Sequence, residues 1–512
     1  MFEPNEPDRS GPRRQQHAVG VIGAGERHRR RDLPADVPQA AEWLAVATGD
    51  LERRHPGASA AHGLAAWQRA AAACAVVLLA AGAWVAPVAT LDGLAAIFIV
   101  AFISVTVLRV AALFFAVGQP PSRSGALPAI SQPIDDAVDT TDLPRYAILV
   151  PLYREAEVIE GLVAALGALS YPASKLEISL VLEAGDAGTR EAIAAVALPA
   201  HFRTVVVPDG WPRTKPRALN YALQSACGEL VVVYDAEDAP EPDQLRHAVA
   251  AFRDGDERLG CVQARLNISN RHDSFLTRQF TLEYSALFDA ILPVLERLGL
   301  PIPLGGTSNH FRRDVLEAAG GWDAFNVTED ADLGVRLARQ GYGVAILAST
   351  TWEEAPADLA NWLGQRTRWL KGWMQTYIVH MRQPGVLLRD LGPWRFAGFQ
   401  AISAAMILSA LVHPWFMATL MIWGLDGGRE DMSSTTVLWL GLANLIAGYA
   451  AAMLLGFVAV QQRGWRGLGL WSLGMPAYWL LISYAAHCAL VELALKPFHW
   501  AKTRHRARRS SV

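Results

Sequence analysis

The chain has 512 residues, a formal net charge of -3 and 52% hydrophobic residues, with a mean hydropathy of +0.18. That is too apolar for a purely soluble protein of several domains, and long apolar stretches of this kind signal membrane spans. Cys74, Cys227, Cys261 and Cys488 lie far apart with no Cys-x-x-Cys or Cys/His cluster, which excludes a disulfide framework and a structural zinc site.

In chain order, residues 1–65 are rich in Arg, Pro, Gly and Asp and read as a mostly disordered cytosolic arm, with room for a short helix within 32–52. The segment Gly20-Val21-Ile22-Gly23-Ala24-Gly25 has the spacing of a dinucleotide loop. It lacks a preceding strand and runs into Glu26-Arg27-His28-Arg29-Arg30-Arg31, so nucleotide binding is not expected there. Residues 66–118 form a transmembrane hairpin, with apolar runs at 70–88 and 94–117, each able to cross a ~30 Å hydrocarbon core. The connection at 87–93 carries no Lys or Arg, whereas the preceding arm is full of arginine, so both ends belong in the cytosol. Residues 119–142, with Pro, Ser and Asp, are a linker.

From 143 to 385 the pattern changes to a soluble α/β domain. Strands are expected at 146–150, 178–183, 204–207, 230–234, 260–264 and 343–347. Helical patterns intervene at 157–169, 216–226, 242–252 and 329–340. This alternation predicts a mostly parallel sheet covered on both faces. Residues 386–496 form a C-terminal transmembrane region with apolar runs at 396–424, 435–460 and 469–495. The first two cross out and back. Gly474-Met475-Pro476 breaks the third into a re-entrant or interfacial piece or two short passes, and the basic tail at 497–512 is expected in the cytosol.

The densest chemistry follows the strand Leu230-Val231-Val232-Val233-Tyr234, which ends in Asp235-Ala236-Glu237-Asp238. A short, continuous apolar run reads as a strand buried on both faces, and ligands of open α/β sheets bind beyond the carboxyl ends of strands. Carboxylates this close repel unless a cation holds them, and a divalent metal completed by a substrate diphosphate satisfies that need. A solvated acidic turn is the bland alternative.

Other motifs stand around it. Ile148-Leu149-Val150-Pro151-Leu152-Tyr153-Arg154-Glu155 sets a ring and a carboxylate at a strand end. Leu180-Val181-Leu182-Glu183-Ala184-Gly185-Asp186 places acids at another, and Lys215-Pro216-Arg217-Ala218-Leu219-Asn220 puts a lysine at a helix start, suited to a diphosphate. Thr328-Glu329-Asp330 follows the loop Gly305-Gly306-Thr307-Ser308-Asn309; alone it reads equally as an N-cap with acids in the first turn. In Gln365-Arg366-Thr367-Arg368-Trp369, the residues Gln365, Arg368 and Trp369 share one helix face, on a helix that also suits a membrane interface.

Together these motifs resemble glycosyltransferase family 2 and, more narrowly, membrane-embedded bacterial polysaccharide synthases related to cellulose synthase. The resemblance implies a GT-A fold, a Rossmann-like mixed sheet that binds a nucleotide sugar, inserted between transmembrane helices. It implies Asp330 as catalytic base, Tyr153, Glu155, Glu183, Lys215, Asp235 and Arg368 as donor-binding residues, and Thr307, Ser308, Gln365 and Trp369 as acceptor-binding residues. Asp235 and Glu237 would hold Mg2+ or Mn2+; Glu237 departs from the family's aspartate, and Asp238 could share or replace it. The implied activity is inverting, metal-dependent polymerisation of a β-linked exopolysaccharide from a UDP-hexose. The implied setting is the bacterial inner membrane, with the catalytic domain cytosolic, export subunits as possible partners and no nucleic acid. A single transfer to a lipid carrier and a catalytically degenerate subunit are the alternatives.

Overall fold

The computed structural model describes residues 37–119, 142–425 and 435–498. The glycine-rich segment at 20–25, nearly all of the expected linker, the loop at 426–434 and most of the basic tail lie outside them. The strands are β1 (Tyr146–Leu152), β2 (Leu176–Glu183), β3 (Phe202–Val207), β4 (Leu230–Val233), β5 (Ala239–Pro240), β6 (Leu259–Ile268), β7 (Asn309–Arg312) and β8 (Gly343–Glu353). They form one sheet in the order β3-β2-β1-β4-β7-β6-β8-β5. The β3-β2-β1-β4 half is parallel, β7 is inserted antiparallel to both neighbours, and β8 runs parallel to β6.

Alternation along β1 explains why the predicted strands are apolar throughout. Ile148, Val150 and Leu152 enter one core with Leu180, Leu182 and Val232, while Ala147 and Leu149 enter the opposite core with Val181, Val231 and Leu219. Both faces are covered, so no position along the strand is free to be polar. All six predicted strands are present. Two further strands carry no such signal: the two-residue β5, and β7, whose sequence Asn-His-Phe-Arg has no apolar run. β7 is an interior strand because polar partners await it: the Tyr146 hydroxyl meets His310 Nδ1 at 2.6 Å, and Asn309 Nδ2 donates to the Gly305 carbonyl at 2.6 Å.

Before the sheet come α1 (Val37–Arg54), α2 (Ala66–Val85) and α3 (Pro87–Val117). Within the domain lie α4 (Ile159–Gly167), α5 (Ala187–Ala195), α6 (Lys215–Leu223), α7 (Gln244–Asp254), α8 (Phe275–Ala286), α9 (Leu292–Arg297), α10 (Arg313–Ala318), α11 (Glu329–Arg339) and α12 (Leu359–His380). After it follow α13 (Pro384–Phe399), α14 (Ala405–Leu425), α15 (Thr435–Gln462) and α16 (Met475–Leu495).

The expectation of a mostly disordered arm is corrected over its second half. The helix α1 docks on the domain: Ala47 and Leu51 are buried, Trp43 meets Tyr221 edge-on, and Asn220 donates to the Ala47 carbonyl at 3.0 Å. Buried Asp323 then accepts from the Ser59 hydroxyl at 2.9 Å and the Ala60 N–H at 2.6 Å. An apolar face with a waiting partner surface is enough to order a polar stretch.

Among the described residues five helical segments are long and apolar enough to cross a membrane: 66–85, 87–117, 384–425, 436–462 and 469–495. Along α2, Val76, Leu78 and Val85 are 67%, 71% and 80% exposed, an apolar surface of the kind a bilayer covers. The C-terminal ends of α3 and α15 are tied together through Gln462, which donates to the Ala116 carbonyl at 3.0 Å. Arg463, just beyond, is buried as a two-pronged partner of Asp289 at 2.6 and 2.7 Å, anchoring that end to the domain. The third C-terminal run behaves differently. A 3-10 turn at Gly469–Gly474 precedes α16, and near it Gln279 of α8 donates to the Trp471 carbonyl at 2.6 Å. At the other end Lys371 of α12 meets Glu492 at 2.9 Å, and Gln375 donates to the Pro497 carbonyl at 2.8 Å. Both ends of this helix therefore rest on the domain.

Candidate active site

One cavity of about 630 Å³ collects the ends of β1, β2, β4 and β8, the first residues of α6 and α11, the 305–307 loop and one face of α12. Every sequence-predicted site residue lines it except Ser308. Ser308 is fully buried with φ 57°, and its hydroxyl lies 2.6 Å from that of Thr351 in the core, so its expected acceptor contact is corrected. The neighbouring Thr307 borders the cavity, but its hydroxyl is spent on Asp238 and the Val233 carbonyl.

At the first helical residue of α6, the Lys215 ammonium lies 2.5 Å from Asp235 Oδ1 and 2.8 Å from the Gly306 carbonyl. Burial alone would lower its pKa, but Asp235 and then Glu329 outweigh burial and hold it above the usual lysine range. Asp238 works from behind: its Oδ2 accepts the Asp235 N–H at 2.6 Å and the Thr307 hydroxyl, bracing the loop that carries Asp235 and Glu237. In the second motif the two acids divide. Glu183 faces the cavity and takes Arg217 at 2.5 Å, whereas Asp186 caps α5 and accepts the Arg154 N–H at 2.5 Å. That bond helps to hold Arg154 at φ 57°, a sparsely populated conformation that turns the chain just after Tyr153.

Asp330 is the second residue of α11, and its Oδ1 accepts the Ala331 N–H at 2.7 Å. A Cβ on Gly306 would stand 3.3 Å from Asp330 Oδ2 and 4.0 Å from both Asp235 Oδ2 and Lys215 Nζ. The glycine thus leaves open the gap on which these three groups converge. Burial raises the Asp330 carboxyl above its ordinary range, opposed by the Ala331 N–H, Lys215 and Arg368. Thr328 makes no capping bond; it packs where a Cβ on Gly372 of α12 would collide with it. This seats the start of α11 on α12, which presents Gln365, Arg368 and Trp369 to the same cavity.

Seven carboxylates (Glu155, Glu183, Asp235, Glu237, Glu329, Asp330 and Glu353) line this cleft against Arg213, Lys215 and Arg368. Glu353, at the end of β8, escapes sequence reasoning because the expected strand at 343–347 stops six residues before β8 does; the acids Glu353-Glu354 further along are the signal for it. Burial first, then Asp235, pushes Glu237 up to about 8; burial and Asp330 push Glu329 up to about 7. Like charges crowded in a buried cleft shift in this way unless a cation relieves them. Among the described residues no three His, Cys, Asp or Glu side chains converge closely enough to hold a metal unaided. The donor set suits a cation that shares its coordination with a diphosphate.

The cavity does not stop at the cleft. Beyond Trp369 it continues among α3, α14, α15 and α16, past Leu108, Ile402, Met406 and Leu455. Its waist is an ion-pair cluster that sequence reasoning missed: Arg366 grips Glu283 at 2.7 and 2.6 Å, and the Tyr478 hydroxyl donates to the same carboxylate at 2.8 Å. The Arg366 guanidinium lies 4.8 Å from the centre of the Trp369 ring, which also stacks on Tyr284.

The mixed sheet, with an acid-lined cleft at its strand ends and a lysine at the head of α6, has the layout of a GT-A domain. Residues 144–372 match the family model described as "Glycosyltransferase like family 2". A Bacillus subtilis protein described as "Probable glycosyltransferase YdaM" is 29% identical over 242 residues, 46% of this chain and 57% of that protein. The beta-monoglucosyldiacylglycerol synthase of Trichormus variabilis is 30% identical over 245 residues, 46% of this chain and 50% of that protein. The chain thus spans about half the length of the curated relatives it matches. Among solved structures, the mannosyltransferase PcManGT from Pyrobaculum calidifontis, in complex with GDP-Man and Mn2+, matches with a TM-score of 0.49 and 22% identity, covering 78% of this chain and 98% of that one.

Proposed function

We propose that the protein is a metal-dependent, inverting glycosyltransferase of the bacterial inner membrane, its catalytic domain cytosolic, using a UDP-hexose. The observation that carries this reading is the single cavity joining an acid-lined cleft to a chamber inside the helix bundle. Tyr153, Glu155 and Glu183 border the nucleoside end, and Lys215 and Arg368 stand where a diphosphate needs positive charge. Asp235 and Glu237 would hold Mg2+ or Mn2+, which supplies Lewis-acid stabilisation of the departing diphosphate. Asp330 takes the proton of the acceptor hydroxyl. That oxygen bonds to the anomeric carbon as the bond to the nucleoside diphosphate breaks, and the electron pair leaves with the diphosphate.

For the acceptor, the lining of the inner chamber favours a lipid: Leu108, Ile402, Met406, Ile407 and Leu455 suit an acyl or isoprenoid chain better than a hydrated glycan. The name of the Trichormus relative, a beta-monoglucosyldiacylglycerol synthase, agrees with a lipid product. Extension of an exopolysaccharide is the second reading, favoured by Trp369 at the mouth of the chamber, where an indole can cover a sugar ring.

The test is product analysis with purified protein, UDP-[14C]hexoses and bacterial lipid vesicles. A single-sugar lipid that does not lengthen with time is the expected product. High-molecular-weight glycan would make the polymer reading the correct one, and no sugar transfer with any donor would remove both.

A further inference from the structure

The inner chamber is charged oppositely to the cleft. Of the Asp, Glu, Lys and Arg side chains lining it and its waist, Arg109 and Arg366 are basic and Glu283 is acidic, and His413 also lines it. Both Glu283 oxygens are engaged by Arg366, and one also by Tyr478, so that pair is internally neutral. Arg109 is the remainder. It projects from α3 so that its guanidinium lies 4.5 Å from the centre of the Trp479 ring; among the described residues its one acidic influence is Glu283, which acts on it from beyond ion-pair distance while bonded to Arg366. Trp479 is held by Tyr449, stacked 5.1 Å away, and Tyr449 is held by His413 at 2.6 Å. The cation therefore sits on a rigid aromatic wall inside an apolar chamber.

Depth adds a second constraint. The helix α3 has 31 residues, about 46 Å at 1.5 Å per residue, and so exceeds a ~30 Å hydrocarbon core. Arg109 lies eight residues before its domain-side end, about 12 Å from it, near head-group level. A full positive charge in such a place is costly unless an anion meets it.

We propose that Arg109 binds the phosphate of the acceptor, an anionic lipid whose phosphodiester or diphosphate rests in the chamber while a hydroxyl of its head group reaches the Asp330 gap. The identity of that hydroxyl as nucleophile rests on the glycosyl-transfer reading above; the phosphate contact does not. Two sources share this chemistry, a hydroxylated phospholipid and a lipid-linked phosphosugar, whereas diacylglycerol offers a hydroxyl without the anion.

The experiment uses the full chain in phosphatidylcholine vesicles doped with phosphatidylglycerol, a polyprenyl-diphosphate-linked sugar, or dioleoylglycerol. Lipid glycosylation, release of UDP to water and lipid retention by native mass spectrometry are read in parallel. One phosphate-bearing lipid is expected to be used with a KM at least about ten-fold below that of dioleoylglycerol. Arg109→Gln should raise that KM about ten-fold or more with kcat little changed, the scale of a lost charge-assisted hydrogen bond. Arg109→Lys should recover most of it, and UDP release to water should be unchanged in both variants. Equal use of dioleoylglycerol, or an Arg109→Gln variant with unaltered KM and lower thermal stability, overturns the proposal and leaves Arg109 a packing residue. Absence of both transfer and hydrolysis removes the glycosyl-transfer reading instead; retention of phosphate lipid by wild type and its loss in Arg109→Gln still decides the contact.

Discussion

Lys215 and Asp235 face each other across the cleft at 2.5 Å, so the lysine neutralises the carboxylate expected to take a divalent cation. A nucleoside diphosphate arriving with its metal competes for both partners at once: the cation for Asp235, the phosphates for Lys215. Asp235→Ala should therefore weaken UDP binding in Mg2+ or Mn2+ while scarcely changing it in EDTA. Lys215→Ala should weaken UDP binding in both conditions. Calorimetric titrations of the two variants with and without chelator check this, and equal UDP affinity with and without metal would remove the metal site.

The adjacent acids Glu329 and Asp330 should separate under mutation. Burial and then Asp330 push Glu329 up to about 7, and burial raises Asp330 as well. Asp330→Asn should lower kcat by ~10²-fold or more, the low end for a positioned base, with UDP affinity retained. Glu329→Gln, which mimics the protonated neighbour, should stay within about ten-fold of wild type. Because burial raises the Asp330 pKa, its basic form is lost as pH falls through a value above the ordinary 3.8, and the acid limb of kcat should lie there. A limb at or below that value would count against Asp330.

Arg366 bridges α12, α8 and α16 through Glu283 and Tyr478. Arg366→Ala leaves the Glu283 carboxylate, which is 34% exposed to the cavity, with the Tyr478 hydroxyl as its remaining partner, a loss of about 1–3 kcal/mol for a lost charge-assisted hydrogen-bond pair. The expected result is a lower melting temperature in detergent, partly recovered by Glu283→Gln in the same protein. Wild-type stability in the single variant would show that cavity water already screens the carboxylate.

Trp369 borders both cleft and chamber, so Trp369→Ala should impair transfer to acceptor far more than release of UDP to water. Paired assays on one preparation provide the comparison. A parallel fall in both rates would assign the indole to donor binding or to packing against Tyr284.

Both ends of α16 rest on the domain, through Gln279 near its start and Lys371 and Gln375 at its close. The tail following Lys496 should therefore lie on the same side of the membrane as the catalytic domain. The check is thiol labelling in intact cells and inverted vesicles, at the tail variant Thr503→Cys and at Cys227, an exposed thiol of the domain. The two positions should give one pattern. Opposite patterns would make α16 a full crossing.

What sequence alone determined is whatever depends on neighbours along the chain. Apolar runs ending in acids located β1, β2 and β4 with Tyr153, Glu183 and Asp235 at their tips, because a strand buried on both faces has no other composition available. The i, i+3, i+4 spacing put Gln365, Arg368 and Trp369 on one face of α12, and all three line the cavity. What only the tertiary structure decided depends on partners far apart. Asn309–Arg312 became an interior strand through Tyr146 and the polar groups beside it, and Ser308 turned into the core toward Thr351. Glu283 acquired its roles from Arg366, 83 residues away, and Tyr478, 195 away, and Arg109 met Trp479 only because α3 and α16 pack around one chamber. A buried charge is defined by what neutralises it, and that partner is set by packing rather than by spacing.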